Sequence, residues 1–297
     1  MGGLVSLPRV IPCLLAFGLL ACRQSGGPSG SVTVVDDAGD TVAVRVPAAR
    51  VVSLIPATTE LLFAIGAGEA VVGRTQWCNY PPAAASVANL GPGINPNLEA
   101  LVAARPDLVI LYNSAQHAAV ASRLRALSIP AVRINTDALS DVPRVGALLG
   151  RLTGHAAQAD SVGEVFDSAL ASASQDSTAG PRPKVLLLVW EQPPMTIGRG
   201  SFLSELIERA GGGNLFADVV TSSGPVSIEA VSARDPDLIL TTTDGPAGFA
   251  ARPEWQVVRA VRERRFLRVI GSEYDRPGPR SPAAIRALSQ RLREAVR

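Results

Sequence analysis

Two glutamates hold matching places in a repeated stretch. Glu99 lies in Asn97-Leu-Glu-Ala-Leu-Val-Ala-Ala-Arg-Pro-Asp-Leu-Val-Ile-Leu111 and Glu229 in Ser227-Ile-Glu-Ala-Val-Ser-Ala-Arg-Asp-Pro-Asp-Leu-Ile-Leu-Thr241. Each falls in the first turn of a predicted helix, where the helix dipole favours a carboxylate. A second repeated pair, Glu60 and Glu205, comes from Thr59-Glu-Leu-Leu-Phe-Ala-Ile-Gly-Ala-Gly68 and Ser204-Glu-Leu-Ile-Glu-Arg-Ala-Gly-Gly-Gly213. These two sit just behind cap positions and read as ordinary first-turn acids. Aromatic residues make up only 4% of the chain. Even so, Trp77, Tyr80, Tyr112, Trp190 and Tyr274 all fall at predicted strand ends or loops, where rings can bury a flat ligand at small entropic cost. Cys78 beside Trp77 is either a soft metal ligand or a small buried apolar residue. His117 reads as a helix-surface residue that could face the same loops, and His155 as structural.

Composition removes several functions. The 297 residues carry 18% charged groups and a net charge of +2. The basic residues are scattered arginines with one lysine, Lys184, so no stripe tracks a phosphate backbone and no nucleic-acid partner is expected. Two histidines and three cysteines are too few for a dedicated metal-ion binder. G-x-S-x-G, H-E-x-x-H, a P-loop and a strand–helix G-x-G-x-x-G are all missing, and no carboxylate pair has acid/base spacing, so an enzyme is not expected. No apolar run reaches about 18 residues.

At the N-terminus, Arg9 precedes an apolar run from Val10 to Ala21 of signal-peptide type. The run ends Leu19-Leu20-Ala21-Cys22, which resembles the lipobox of bacterial lipoproteins, with Cys22 as the lipidated residue. A Gly/Ser/Pro-rich tether follows. With the leader removed and Cys22 acylated, Cys78 is the only thiol left, and no intramolecular disulfide is expected.

The elements that must position these residues alternate between strand and helix. Val51–Ile55, Leu108–Tyr112 and Ala131–Ile134 are short apolar runs, as in strands buried on both faces. Thr58 or Thr59 is the expected cap of the helix that Gly66 ends. A second set runs through Val185–Trp190, Ser204–Ala210, Ile228–Ala233, Leu238–Thr242, Pro253–Arg262 and Val269–Ile270. Between the sets lie a helix over Asp141–Leu152 and a long helix from His155 to about Gln175. The spacing predicts an α/β fold: two similar α/β lobes with mostly parallel sheets joined by one long α-helix. The expected divisions are a signal peptide over 1–21, a tether leading into a first strand over 22–49, an N-terminal lobe over 50–153, the linking helix over 154–178 and a C-terminal lobe over 179–297. A helical link is stiff, so little lobe closure is expected.

Taken in order, several stretches resemble the ABC-importer substrate-binding proteins for cobalamin, haem and ferric siderophores, and most of all their cobalamin-binding members. They are Val51-Val-Ser-Leu-Ile-Pro-Ala-Thr-Thr-Glu-Leu61, Val72-Gly73, Asn79-Tyr-Pro-Pro82, Asn97-Leu-Glu99, Arg105-Pro-Asp-Leu108, Pro193-Pro194 with Gly198, and Arg276-Pro-Gly-Pro-Arg280. The resemblance implies two lobes joined by a long helix and a ligand held between them. It puts Pro56, Ala57, Trp77, Tyr112, Met195 and Arg276 at the ligand, with Trp190, Tyr274 and Ser272 nearby. Arg276 corresponds to a cleft arginine that meets corrin amides or a phosphate. Glu99 and Glu229 correspond to the acids that dock on an ABC permease dimer. The chain would then be a monomer, anchored by lipid at the extracytoplasmic face of a membrane, with no catalytic cofactor. Its transported ligand would be cobalamin or a related corrinoid, or alternatively haem or a ferric siderophore; the alternatives of a different class are a surface lipoprotein acting as an interaction platform and an enzyme without a recognised motif. Siderophore binding calls for more basic residues, for which Arg74 and Arg199 are candidates. Gly93 and Gly224 depart from the pattern at two aromatic positions.

Overall fold

The computed structural model describes residues 1–2, 30–176, 182–242 and 248–295. Cys22, its leader and its tether lie outside the described residues. The described chain opens with a hairpin, β1 (Gly30–Val35) and β2 (Thr41–Val46), paired antiparallel. The N-terminal lobe follows as β3 (Val51–Ser53), α1 (Pro56–Ala64), β4 (Val71–Arg74), α2 (Leu98–Ala103), β5 (Leu108–Tyr112), α3 (Ala115–Ala126) and β6 (Ala131–Ile134). Its sheet runs β4-β3-β5-β6, all parallel. Residues of β3 and β5 are buried almost throughout, as expected for strands covered on both faces.

Helices α4 (Asp141–Thr153) and α5 (Ala156–Asp176) lead to the second lobe. Gly154 ends α4 in the left-handed region at φ 77, where a side chain would be strained. The C-terminal lobe contains β7 (Lys184–Glu191), β8 (Pro194–Ile197), α6 (Phe202–Arg209), β9 (Gly213–Asn214), β10 (Ser223–Pro225), α7 (Ile228–Arg234), β11 (Leu238–Thr241), α8 (Arg259–Arg262), β12 (Phe266–Arg268), α9 (Ser272–Asp275) and α10 (Ser281–Ala295). Its parallel strands run β9-β7-β11-β12, the same order as β4-β3-β5-β6, and β8 and β10 extend the sheet antiparallel beyond β7.

The repeated Pro-Asp explains part of this likeness. Asp107 accepts hydrogen bonds from the Ala49 and Arg50 amides just before β3, and Asp237 accepts one from the Lys184 amide at the start of β7. In return, Arg50 donates to the carbonyls of Ala104 and Arg105 at the end of α2, and Lys184 donates to the Arg234 carbonyl at the end of α7. A cation at a helix C-terminus satisfies orphan carbonyls and complements the dipole. The lone lysine therefore stands where the other lobe has Arg50.

One apolar cluster runs through both lobes. Leu61, Leu62 and Leu149 of the first share it with Ile207, Ile285 and Leu288 of the second, and Ala159, Phe166 and Ala173 of α5 join them. Some elements differ from expectation. α1 begins at Pro56 with no side-chain cap; Pro fits the first turn because its missing N–H would have no partner there. Thr58 and Thr59 lie inside the helix, and both hydroxyls donate to the Ile55 carbonyl. Strand β12 is Phe266–Arg268, ahead of the expected Val269–Ile270, and Pro253–Arg262 divides into a 3₁₀ turn over Pro253–Val257 and α8.

Candidate functional site

Parallel strands leave loops at their carboxyl ends, and ligands of α/β folds gather there. Here those ends form a cavity of about 640 Å³ between the lobes. From the first lobe come Ile55, Pro56 and Ala57 at the start of α1, Trp77 and Asn79 after β4, Tyr112 ending β5, and Thr136 and Asp137 after β6. From the second come Gly200, Ser201 and Phe202 at the start of α6, Ser222 before β10, and Asp275, Arg276 and Pro277 after α9. Helices α1 and α6 correspond by sequence and sheet order, so the two N-termini face one space from opposite lobes.

Of the six residues expected at the ligand, Pro56, Ala57, Trp77, Tyr112 and Arg276 line this cavity. Met195 does not: it sits on β8 beside Trp190 and Pro225, in the antiparallel extension that the strand pattern left unread. Trp77 leaves 55% of its surface open. Trp190 also lies away from this cavity, lining a separate pocket of about 490 Å³ with Phe249 and Arg252. Asn79 falls in one of the stretches that carry the resemblance, but Thr136, Asp137, Ser201 and Ser222 carried no sequence signal of their own. Their shared place at strand ends or helix starts was the only available clue.

Tyr112 donates its hydroxyl to both oxygens of Asp137, at 2.8 and 3.0 Å. Burial, then the hydrogen bond to this carboxylate and its charge, push the phenol up to about 12. Burial also pushes the Asp275 carboxyl above its usual range. Cys78 is fully buried, with Thr59 and Thr75 hydroxyls at 3.1 and 3.2 Å from its sulfur. His117 is buried as well, not on a helix surface, and its two ring nitrogens lie 3.0 and 2.8 Å from the carbonyl oxygens of Tyr112 and Gly93. Arg74 spends its guanidinium on the carbonyls of Thr75, Ala84 and Ala85. Arg199 is exposed and outside the lining.

Glu60 overturns the reading of an ordinary first-turn acid. Its side chain is only 2% exposed and takes a two-oxygen contact from Arg280 of the other lobe, each bond 2.9 Å. Arg276 lies 3.7 Å from the same carboxylate, and its other end donates to Asn79 at 2.9 Å. The Arg280 guanidinium also stacks 3.8 Å over the Tyr80 ring. Gly278 leaves room for this pair, since a Cβ there would come 3.2 Å from a Glu60 carboxylate oxygen and crowd it. Glu205 crosses in the opposite direction: it accepts the Leu139 amide of the first lobe. Both repeated acids are therefore bridges between lobes.

Glu99 and Glu229 are exposed at the starts of α2 and α7. Asn97 and Ser227 cap these helices identically, accepting from the amides of Ala100 and Ala230. Bonds from its own amide and from Ser227 hold the Glu229 carboxyl below its usual range. Neither acid lines the cavity.

Residues 51–270 match the family model described as periplasmic binding protein. The chain is 34% identical over 218 residues to a cobalamin-binding protein of Halobacterium salinarum, covering 71% of this chain and 58% of that one. It is 27% identical over 270 residues to an uncharacterized ABC transporter substrate-binding lipoprotein of Bacillus subtilis, covering 88% and 85%. Among solved structures, the apo periplasmic heme-binding protein RhuT from Roseiflexus sp. RS-1 superposes with a TM-score of 0.76 at 26% identity, covering 84% of this chain and 99% of that one.

Proposed function

The chain belongs to the periplasmic binding protein family, and from that premise we propose that it captures cobalamin or a related corrinoid between its lobes and delivers it to an ABC permease. The charge of the cavity carries this reading. Among the described residues its lining has one cation, Arg276, beside two acids, Asp137 and Asp275. An anionic chelate gains no net attraction there, and Arg74 and Arg199 add none. This disfavours a ferric siderophore, and haem with its two propionates. A corrinoid is edged by neutral amides, which pair with Asn79, Thr136, Ser201, Ser222 and the arginine. Trp77 supplies the flat apolar contact. The cobalamin-binding relative supports the same choice.

Delivery would use Glu99 and Glu229. Two exposed, identically capped acids on corresponding helices fit two arginine sites of a symmetric permease. Cys22 would hold the protein to the membrane by lipid, in keeping with the lipoprotein among its relatives. Visible absorption and calorimetric titration of the purified protein with cyanocobalamin, haemin and a ferric siderophore test the reading. Saturable binding of cyanocobalamin is expected. Binding of haemin or the siderophore in its place would refute it.

A further inference from the structure

Tetrapyrroles differ in what their metal asks of a binding site. Ferric haem has open axial positions that a protein side chain can fill. Cyanocobalamin arrives with both axial positions of its cobalt taken. Among the described residues lining the cavity, Tyr112 is the only phenol, imidazole, thiol or thioether. Cys78 and His117 lie beneath the surface with their polar atoms engaged. Met195 faces elsewhere, Tyr80 is covered by Arg280, and Tyr274 is buried outside the lining.

We infer that Asp137 determines specificity at this site: it holds the Tyr112 hydroxyl on both carboxylate oxygens, so the phenol is withheld from a metal and the cleft takes a macrocycle whose metal is already six-coordinate. This rests on the reading that a tetrapyrrole occupies the cavity. Ligation would require the phenol to give its proton to solvent and become a phenolate bonded to iron. That phenolate would stand 2.8 Å from a carboxylate, and like charges at that distance oppose each other's ionisation. The raised pKa of Tyr112, due first to burial and then to this carboxylate, fits the same picture. Asp137 is itself held in place. Its amide and that of Ala138 donate to Asp141, and Arg144 grips Asp141 and Asp37 together. Tyr112 is fixed from behind, where its carbonyl meets the His117 ring.

The test is a visible titration of the purified protein with haemin, on wild type, D137A, Y112F and D137A/Y112F. Wild type and Y112F should give the same spectrum, without phenolate-to-iron charge-transfer absorption. D137A should gain that absorption and bind haemin about tenfold tighter than the double variant, which has lost the same negative charge but has no phenol and should show no such absorption. An ultraviolet titration of apo D137A checks the part played by the carboxylate: Tyr112 should ionise below its wild-type value while burial still holds it above the ordinary value of about 10. Charge-transfer absorption in wild type that Y112F removes would overturn the inference, and so would a D137A protein that gains none. Cyanocobalamin is titrated separately. Its failure to bind would sink the corrinoid reading, while the haemin spectra would still decide the role of Asp137.

Discussion

Glu60→Ala is the most informative single change. The substitution removes a carboxylate that is 2% exposed and leaves Arg280 and Arg276, 21% and 11% exposed, facing the gap. Removing one partner of a buried ion pair costs about 3–5 kcal/mol. The cost should fall at the lower end, about 3 kcal/mol, because Arg280 keeps Glu273 at 2.8 Å and Ser272 at 2.9 Å. At roughly 2–4 °C per kcal/mol for a chain of this size, the melting temperature should fall by about 6–12 °C. The apolar cluster is continuous through both lobes, so calorimetry should show one transition shifted whole. Glu273→Ala is the control: that partner is 33% exposed, and its loss should cost well under half as much. A Glu60→Ala melt within about 2 °C of wild type would refute the view that this pair holds the lobes together.

Four further outcomes are expected. Trp77→Ala should weaken cyanocobalamin binding by about 1–3 kcal/mol in equilibrium titration, with an unchanged melt because the ring is largely open; unchanged affinity would place Trp77 outside the site. Glu99→Ala with Glu229→Ala should abolish uptake in cells carrying the cognate permease while purified protein keeps its ligand affinity and melting point, since exposed charges add little to stability; full uptake would refute docking. Labelled palmitate should enter wild type and not Cys22→Ser, and equal labelling would remove the lipid anchor. The Asp218 carboxyl, held down to about 2 chiefly by Arg234, should titrate there by NMR and return toward about 4 in Arg234→Ala. Its folded pKa is depressed, so the pair's contribution is present above the unfolded pKa and lost as pH falls from about 4 to about 2. A value near 4 in wild type would contradict the pairing.

Much of the architecture was legible because repeated residues do repeated work. Asn97 and Ser227 cap, Asp107 and Asp237 hold the start of the neighbouring, earlier strand, and the parallel cores share one strand order. β8 and β10 were missed. They are short antiparallel additions, bearing Pro194, Gly224 and Pro225, and they lack the apolar run that marks a buried strand. Met195, which the resemblance puts at the ligand, sits on one of these additions and outside the cavity lining. Glu60 was read from its own helix alone. Its partner is separated from it by most of the chain, and no local period reports a contact of that kind. The signal that did exist was the pair of stretches Asn79-Tyr80 and Arg276 to Arg280, which meet across the lobes.

The repeat also explains how a cleft can be built without a flexible hinge. A duplicated lobe places each copy's first helix at the strand ends, so two N-termini meet across the ligand space. The acid one turn inside each helix is then close to the other lobe. Glu60 reaches Arg280, and Glu205 reaches the Leu139 amide. Because these contacts cross in opposite directions, opening the cleft would break both, along with the packing of α5 against α4 and α10. On the proposed reading, a binding site held this way would stay preformed. Its selectivity must then come from what lines it and not from how far it closes. On that ground, loosening the bridges with Glu60→Ala should raise the ligand's dissociation rate more than it changes association, because a preformed site loses affinity mainly through escape. Stopped-flow measurement of both rates would decide it: an unchanged dissociation rate with slowed association would mean that the lobes must first rearrange to admit the ligand.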